Sequence, residues 1–216
     1  MIIFEPILCS VVALGSVVIW KLVDAVCELF HNREQPELPQ EYLVDFNEFE
    51  NKKISASRTI IKQCFGDNIV DCFKNASNID RIHMADNFAK RLAREYGLDI
   101  TIDIAVDDAK AFGYYNEEKK KAVFNIVLIA SDKANENFDY CVRETIDTII
   151  HELRHAVQYH AINNPGFWNI SDEHLNSWRN NRKNYIRPEV DLKSYASQPI
   201  EKDAFSFASA VMKGLC

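Results

Sequence analysis

Two histidines and a glutamate stand close together in the segment His151-Glu152-Leu153-Arg154-His155. On an α-helix, side chains four positions apart project from the same face, so both imidazoles can bind one metal ion. A zinc ion held there would lower the pKa of a bound water and polarise a substrate carbonyl. Glu152 is placed to take the proton of that water, whereas Arg154 is expected to form a salt bridge. The segment therefore predicts metal-assisted hydrolysis.

A third protein ligand is needed to complete a catalytic zinc site, which keeps one further position open for water. His160 is one candidate, but on a continuous helix it points about 180° away from His151. The longer zinc motif with a glycine and a third histidine is not matched, because those positions hold Gln158 and Ala161. His174, in the polar stretch after the helix, is a second candidate.

A glutamate further along the chain is the stronger candidate for the third ligand. Glu201 opens a predicted last helix, whose packing face carries Ala204 and Ala208. Small residues let two helices approach closely, as a shared metal ion requires. Asp203 is an alternative carboxylate ligand on the same helix.

The combination of HELRH with a later E-x-x-A resembles the gluzincin branch of zinc peptidases, in which a glutamate is the third ligand. Residues 201–208, EKDAFSFA, are particularly similar to the E-x-x-A-x-x-F-A pattern of the minigluzincin, or ImmA/IrrE-type, peptidases. The resemblance covers roughly residues 80–212. The roles that it implies are zinc ligands for His151, His155 and Glu201, and catalytic base for Glu152.

The oxyanion that develops during hydrolysis needs a hydrogen-bond donor opposite the metal. Tyr195, Tyr185 and His174 lie in the polar stretch before the last helix, and each could supply that donor. Tyr195 is the nearest of the three to Glu201 in the sequence. We therefore predict Tyr195 as a catalytic residue, with the other two as alternatives.

Hydrophobic periodicity places these residues in an α+β fold. Helical spacing is found at residues 54–74, 80–96, 137–162 and 199–212, and strand patterns at residues 98–106, 111–115 and 122–129. The predicted fold is a small, mostly antiparallel three-stranded sheet. It packs on the HExxH helix and on the C-terminal glutamate helix, and a hydrophobic helix precedes it. The resemblance also implies that residues 124–128 form an edge strand that binds an extended peptide, the alternative being that they only fill the core.

The N-terminal segment is unusually apolar. Residues 1–20 contain a single charged residue, and about 20 apolar residues suffice to cross a bilayer. Lys21 and Arg33 follow, which favours a cytoplasmic location for the rest of the chain. We expect membrane association through residues 1–22; the alternative is a helix that packs on a partner.

The domain organisation follows from these patterns. The chain divides into a hydrophobic helix at residues 1–30, a polar linker with two prolines at residues 31–50 and a zinc metallopeptidase domain at residues 51–216. A hydrophobic fraction of 47% is enough for an ordinary core. The formal net charge of −7 argues against nucleic acid as a partner, because phosphate binding needs clustered basic residues.

The sequence thus predicts a zinc-dependent endopeptidase that acts on a specific protein or peptide substrate. One alternative is a zinc-binding regulatory or structural module without catalysis. Another is a zinc amidase that acts on a non-protein amide. Glu152 favours an enzyme, since a purely structural zinc site has no use for a base and is expected to have a fourth protein ligand instead.

Overall fold

The computed structural model describes residues 43–107, 112–130, 137–188 and 190–215. Its helices are α1 (Glu48–Phe65), α2 (Ile69–Lys74), α3 (Asn78–Glu95), α4 (Val127–Ala130), α5 (Phe138–Asn163), α6 (Asp172–Lys183), α7 (Leu192–Ser197) and α8 (Pro199–Met212). Its strands are β1 (Thr101–Ala105), β2 (Gly113–Asn116) and β3 (Lys121–Asn125). A 3₁₀ turn, Phe167–Asn169, joins α5 to α6. The predicted α+β class is confirmed.

The N-terminal predictions concern a part of the chain that the structure does not describe. The hydrophobic helix at residues 1–30, most of the linker and the membrane association through residues 1–22 lie outside the described residues. Among the residues that are described, no helix combines the length and the apolar character needed to cross a membrane.

The helix boundaries follow local signals in the sequence. Pro199 is the first residue of α8, where its missing N–H costs nothing. Gly97 follows α3 with φ +71°, a conformation that glycine adopts without strain. Gly66, with φ +75°, separates α1 from α2, so the single helix predicted for residues 54–74 is wrong. Asn68 then caps α2 by accepting a hydrogen bond from the backbone of Asp71.

The sheet is mixed, which corrects the prediction of a mostly antiparallel sheet. The strand order is β1-β3-β2: β2 pairs antiparallel with β3, and β1 pairs parallel with β3. The β2–β3 hairpin closes through the charged turn at residues 117–120. Because β1 and β2 pair with opposite edges of β3, β3 is the central strand. Strand β3 ends at Asn125. The predicted edge strand at residues 124–128 is therefore wrong; in the described sheet the edges are β1 and β2.

Helix α5 carries the HELRH segment and lies at the centre of the described fold. It packs against β2, β3 and α8. One apolar stripe of α5 is at most 1% exposed and comprises Ile146, Ile149, Ile150, Leu153, Ala156 and Val157. Ala204 and Ala208 of α8 are completely buried, which agrees with the predicted close approach of the two helices.

The N-terminus of α1 is tied to the rest of the fold by a capping box. The Asn47 side chain accepts a hydrogen bond from Glu50 N, and Asn47 N donates one to Glu50 Oε2, both at 2.9 Å. The Asn47 amide also donates to the backbone carbonyls of Trp168 and Asn169. This one side chain therefore starts α1 and anchors it to the 3₁₀ turn.

Replacing Asn47 by alanine is expected to destabilise the fold by about 1–2 kcal/mol, because α1 loses its cap and the 3₁₀ turn loses two hydrogen bonds from the Asn47 amide. Urea unfolding followed by circular dichroism measures the change. Lys52→Ala, which removes an exposed ion pair with Glu48, is the control and should cost at most about 0.5 kcal/mol. Equal costs for the two variants would contradict the role of the cap.

Candidate metal centre

Three side chains from two helices meet at one point. His151 and His155 lie one turn apart on α5, and Glu201 lies in the first turn of α8. Glu201 Oε2 is 3.4 Å from Nε2 of His151 and 3.4 Å from Nε2 of His155. The two Nε2 atoms are 3.0 Å apart. In the described part of the chain, this is the one group of three or more such residues whose ligand atoms are close enough to share a metal ion.

The geometry of these atoms fits a zinc ion. Zinc bonds to imidazole nitrogen and carboxylate oxygen are about 2.0–2.2 Å long, so two tetrahedral ligands lie about 3.3–3.6 Å apart. The two nitrogen–oxygen distances fall in this range, and the nitrogens need to separate only slightly. Glu201 Oε2 is buried and has no hydrogen-bond partner, which is costly for a charged oxygen unless a cation binds it.

The electrostatics of the cluster favour a positive charge. Burial would raise the pKa of Glu201, but the charge of His155 and the close approach of both imidazoles hold it well below its ordinary value. Burial would lower the pKa of His155, but the charge of the nearby Glu201 carboxylate outweighs this effect and raises the pKa to about 9. Without metal, a proton therefore supplies the positive charge, and metal binding must displace it.

Glu152 borders this cluster without joining it. Its side chain is 9% exposed, and no hydrogen bond to its carboxylate is found within the described residues. Burial lowers the pKa of His155 and Glu201 raises it, and the charge of Glu152 raises it further. The pKa of Tyr185 is raised by burial and by Glu201, and also by the charge of Glu152. A buried carboxylate without a partner beside the ligand atoms is suitably placed to exchange protons with a water there.

The orientation of His155 is fixed by Gln158, one turn further along α5. Gln158 Nε2 donates to the carbonyl of Ile200 at 2.8 Å and to Asp203 Oδ2 at 2.6 Å. Because the amide nitrogen is committed to these two acceptors, Gln158 Oε1 accepts from His155 Nδ1, at 2.8 Å. The proton of a neutral His155 is then on Nδ1, which leaves the Nε2 lone pair free for a metal.

Asp203, considered in the sequence as an alternative ligand, does not belong to the cluster. Its carboxylate accepts hydrogen bonds from Arg154 Nε at 2.7 Å and from Arg154 Nη2 at 2.9 Å, besides the bond from Gln158. Arg154 also pairs with Glu50 of α1, and its side chain is completely buried. The salt bridge predicted for Arg154 is thus present, and it links α1, α5 and α8.

The other histidines considered as ligands lie elsewhere. The His160 ring packs on Phe167, with centroids 4.3 Å apart. The His174 ring stacks on Trp178 in α6, with centroids 6.1 Å apart. Neither belongs to the group formed by the two α5 histidines and Glu201.

Two tyrosines border Glu201. The Tyr185 hydroxyl donates to Glu201 Oε1 at 2.7 Å. Tyr195, the predicted oxyanion donor, is 5% exposed, and its ring meets that of Tyr185 edge-on with centroids 6.2 Å apart. Burial raises the pKa of both phenols, and the charge of Glu201 raises them further, so both hydroxyls stay protonated and able to donate.

Sequence reasoning missed the role of Gln158 and the bond between Tyr185 and Glu201. A signal existed for Gln158, because a residue three positions after His155 lies on the same side of the helix. No comparable signal existed for Tyr185, since its partner lies across an irregular segment whose path the sequence does not specify.

Replacing Gln158 by leucine is expected to weaken zinc binding about tenfold, because His155 loses the acceptor that fixes its ring and tautomer. Competition with a chromogenic chelator measures the dissociation constant. Gln63→Leu, at an exposed position of α1, is the control and should leave the constant unchanged. Unchanged zinc affinity in the folded Gln158→Leu variant would contradict the orienting role.

No family model matches the chain, and no curated protein or solved structure compared with it matches either. Its function must therefore be inferred from its own residues.

Proposed function

We propose that the chain is a zinc-dependent hydrolase of the gluzincin type that cleaves peptide bonds in a specific protein or peptide substrate. One observation carries the proposal: buried Glu201 Oε2 has no hydrogen-bond partner and lies 3.4 Å from both imidazole Nε2 atoms. His151, His155 and Glu201 would hold the metal. The free carboxylate of Glu152 beside them adds the group that hydrolysis requires.

The chemistry divides between the metal and the side chains. When bound, zinc lowers the pKa of a water molecule and polarises the substrate carbonyl. Glu152 accepts a proton from that water and later delivers it to the leaving amine. Tyr195 stays the predicted donor to the developing oxyanion, with Tyr185 as the alternative. Gln158 keeps the His155 lone pair directed at the centre throughout.

Strand β2 is the place where we expect an extended substrate to bind. It is an edge of the described sheet, and the Tyr114 side chain on it is 41% exposed. It also lies very close to α5: a Cβ atom at Gly113 would be 2.9 Å from Thr148 Cγ2. A peptide added to β2 would run beside the metal helix, and its backbone would supply the hydrogen bonds. Strand β2, and not residues 124–128, is thus the edge strand that we expect to bind the peptide.

The non-catalytic alternative needs a different ligand set. A structural zinc site normally takes four protein ligands. Here the described residues bring three together, and Glu152 has no structural partner among them. A zinc amidase would use the same side chains, so only the substrate distinguishes it from a peptidase.

The test is to incubate the zinc-loaded full chain with a peptide library and to identify new termini by mass spectrometry. We expect cleavage that stops when a chelator removes the metal and returns when zinc is restored. Simple acyl amides are tested in parallel, and hydrolysis of these alone would favour an amidase. A zinc-loaded chain that cleaves neither class would favour a binding module.

A further inference from the structure

The two oxygens of Glu201 have different surroundings. Oε2 faces both imidazoles and has no hydrogen-bond partner, whereas Oε1 accepts the hydrogen bond from Tyr185. A carboxylate can bind a metal through one oxygen or through both. We propose that Tyr185 is a positioning residue that occupies Oε1 and so restricts Glu201 to binding through Oε2 alone. This inference rests on the proposed metal centre.

The packing of Tyr185 argues against a merely structural role. The residue is 41% exposed, yet its hydroxyl points inward to a carboxylate that is only 2% exposed. A tyrosine hydroxyl that turns inward usually finds a hydrogen-bond partner, and here that partner is the carboxylate that also faces the two imidazoles. A neutral donor bound to a buried carboxylate forms one of the stronger kinds of hydrogen bond, strong enough to bias how that carboxylate binds.

A second side chain holds the Tyr185 segment in place. Gln198 Oε1 accepts from Ile186 N at 2.7 Å, and Gln198 Nε2 donates to Ile186 O at 2.8 Å. Asn181 in α6 donates to the same Gln198 oxygen at 2.8 Å. Gln198 immediately precedes α8, the helix that carries Glu201. Gln198 therefore links the segment that carries Tyr185 to the start of α8, which carries Glu201.

This arrangement has a consequence for the coordination of the metal. A carboxylate that binds through one oxygen leaves room at a zinc ion for the water that Glu152 activates. A carboxylate free to bind through both oxygens would take up part of that room. Tyr185 would thus keep the centre at a low coordination number before substrate arrives.

The experiment uses the full chain with Tyr185→Phe, which removes only the hydroxyl. We expect the zinc dissociation constant to rise about tenfold, because Glu201 loses the bond that orients it. In the cobalt(II)-substituted protein, the visible absorption should weaken as the coordination number rises. Tyr159→Phe is the matched control: Tyr159 lies one turn beyond His155 on α5, its ring packs against Tyr115, and its loss of a hydroxyl should change neither readout.

The outcomes separate this inference from the proposed function, because neither readout needs a substrate. Wild-type affinity and an unchanged cobalt spectrum in Tyr185→Phe would overturn the positioning role and leave the metal centre intact. A wild-type chain that binds no metal would overturn the proposed function and this inference with it. Gln198→Met, which keeps the side-chain length but releases Ile186, should reproduce the spectral change; a wild-type spectrum there would contradict the role given to Gln198.

Discussion

Replacing Glu152 by glutamine is expected to lower the rate of peptide hydrolysis about 10³-fold without loss of zinc, within the range typical of a general acid–base group. Glutamine has nearly the same shape as glutamate, but it cannot accept the proton of the attacking water at neutral pH. The metal ligands are unchanged, so the zinc content should stay at one ion per chain. Cleavage rates and metal content by mass spectrometry give the two readouts.

Glu173→Gln is the matched control for this substitution. It makes the same chemical change at an exposed position of α6, and both readouts should equal those of the wild type. Full hydrolytic activity in Glu152→Gln would exclude this carboxylate as the base. Loss of zinc in Glu152→Gln would instead show that the carboxylate helps to hold the metal.

Replacing Glu201 by alanine is expected to weaken zinc binding by about 100-fold or more. Structural zinc sites with four ligands bind with about 10–16 kcal/mol, so one ligand contributes on the order of 3 kcal/mol. Glu201 also supplies the negative charge that the two imidazoles lack. The dissociation constants of wild type and variant, measured by chelator competition at one pH, give the effect.

Asp203→Asn provides the comparison, since Asp203 lies on the same helix and was the alternative carboxylate ligand. It contacts the centre only through Gln158, so the loss of zinc affinity should stay within about tenfold. If Asp203→Asn lost as much zinc affinity as Glu201→Ala, the assignment of Glu201 rather than Asp203 as the third ligand would be contradicted. Unfolding curves for both variants show whether either change reflects a damaged core.

The parts of the candidate site that depend on local geometry could be predicted from the sequence. His151 and His155 come together because any continuous helix places residues four apart on one face. The position of Glu201 could be anticipated because Pro199 begins a helix and Ala204 allows that helix to approach α5. These signals involve neighbouring residues, and the structure brings the three side chains together as expected.

The features that the sequence did not predict depend on contacts between distant segments. The sequence of β1 does not indicate that this strand pairs with β3 in parallel. Alternation of apolar and polar residues predicts which face of a strand is buried, but it does not predict which strand lies beside it. The network behind the ligands joins Glu50 to Arg154 and then to Asp203, which lie on three separate helices. The Tyr185 contact depends on a loop held by Gln198. In each case the interacting residues are far apart in the sequence, so their contact becomes apparent only in the folded structure.

The resemblance to minigluzincin peptidases rests on residues 151–155 and 201–208. Both segments contribute to the cluster, so the geometry is consistent with the ligand roles that the resemblance implies. Membrane association, cytoplasmic location and the identity of the substrate stay predictions. The proposed hydrolysis and the role proposed for Tyr185 both depend on the metal centre.

Anomalous X-ray scattering at the zinc absorption edge tests that centre most directly. From crystals of the chain grown with one equivalent of zinc, we expect a single strong anomalous peak. The peak should lie about 2.0–2.2 Å from Nε2 of His151, from Nε2 of His155 and from Oε2 of Glu201. A peak at other residues, or none at this cluster, would contradict the account.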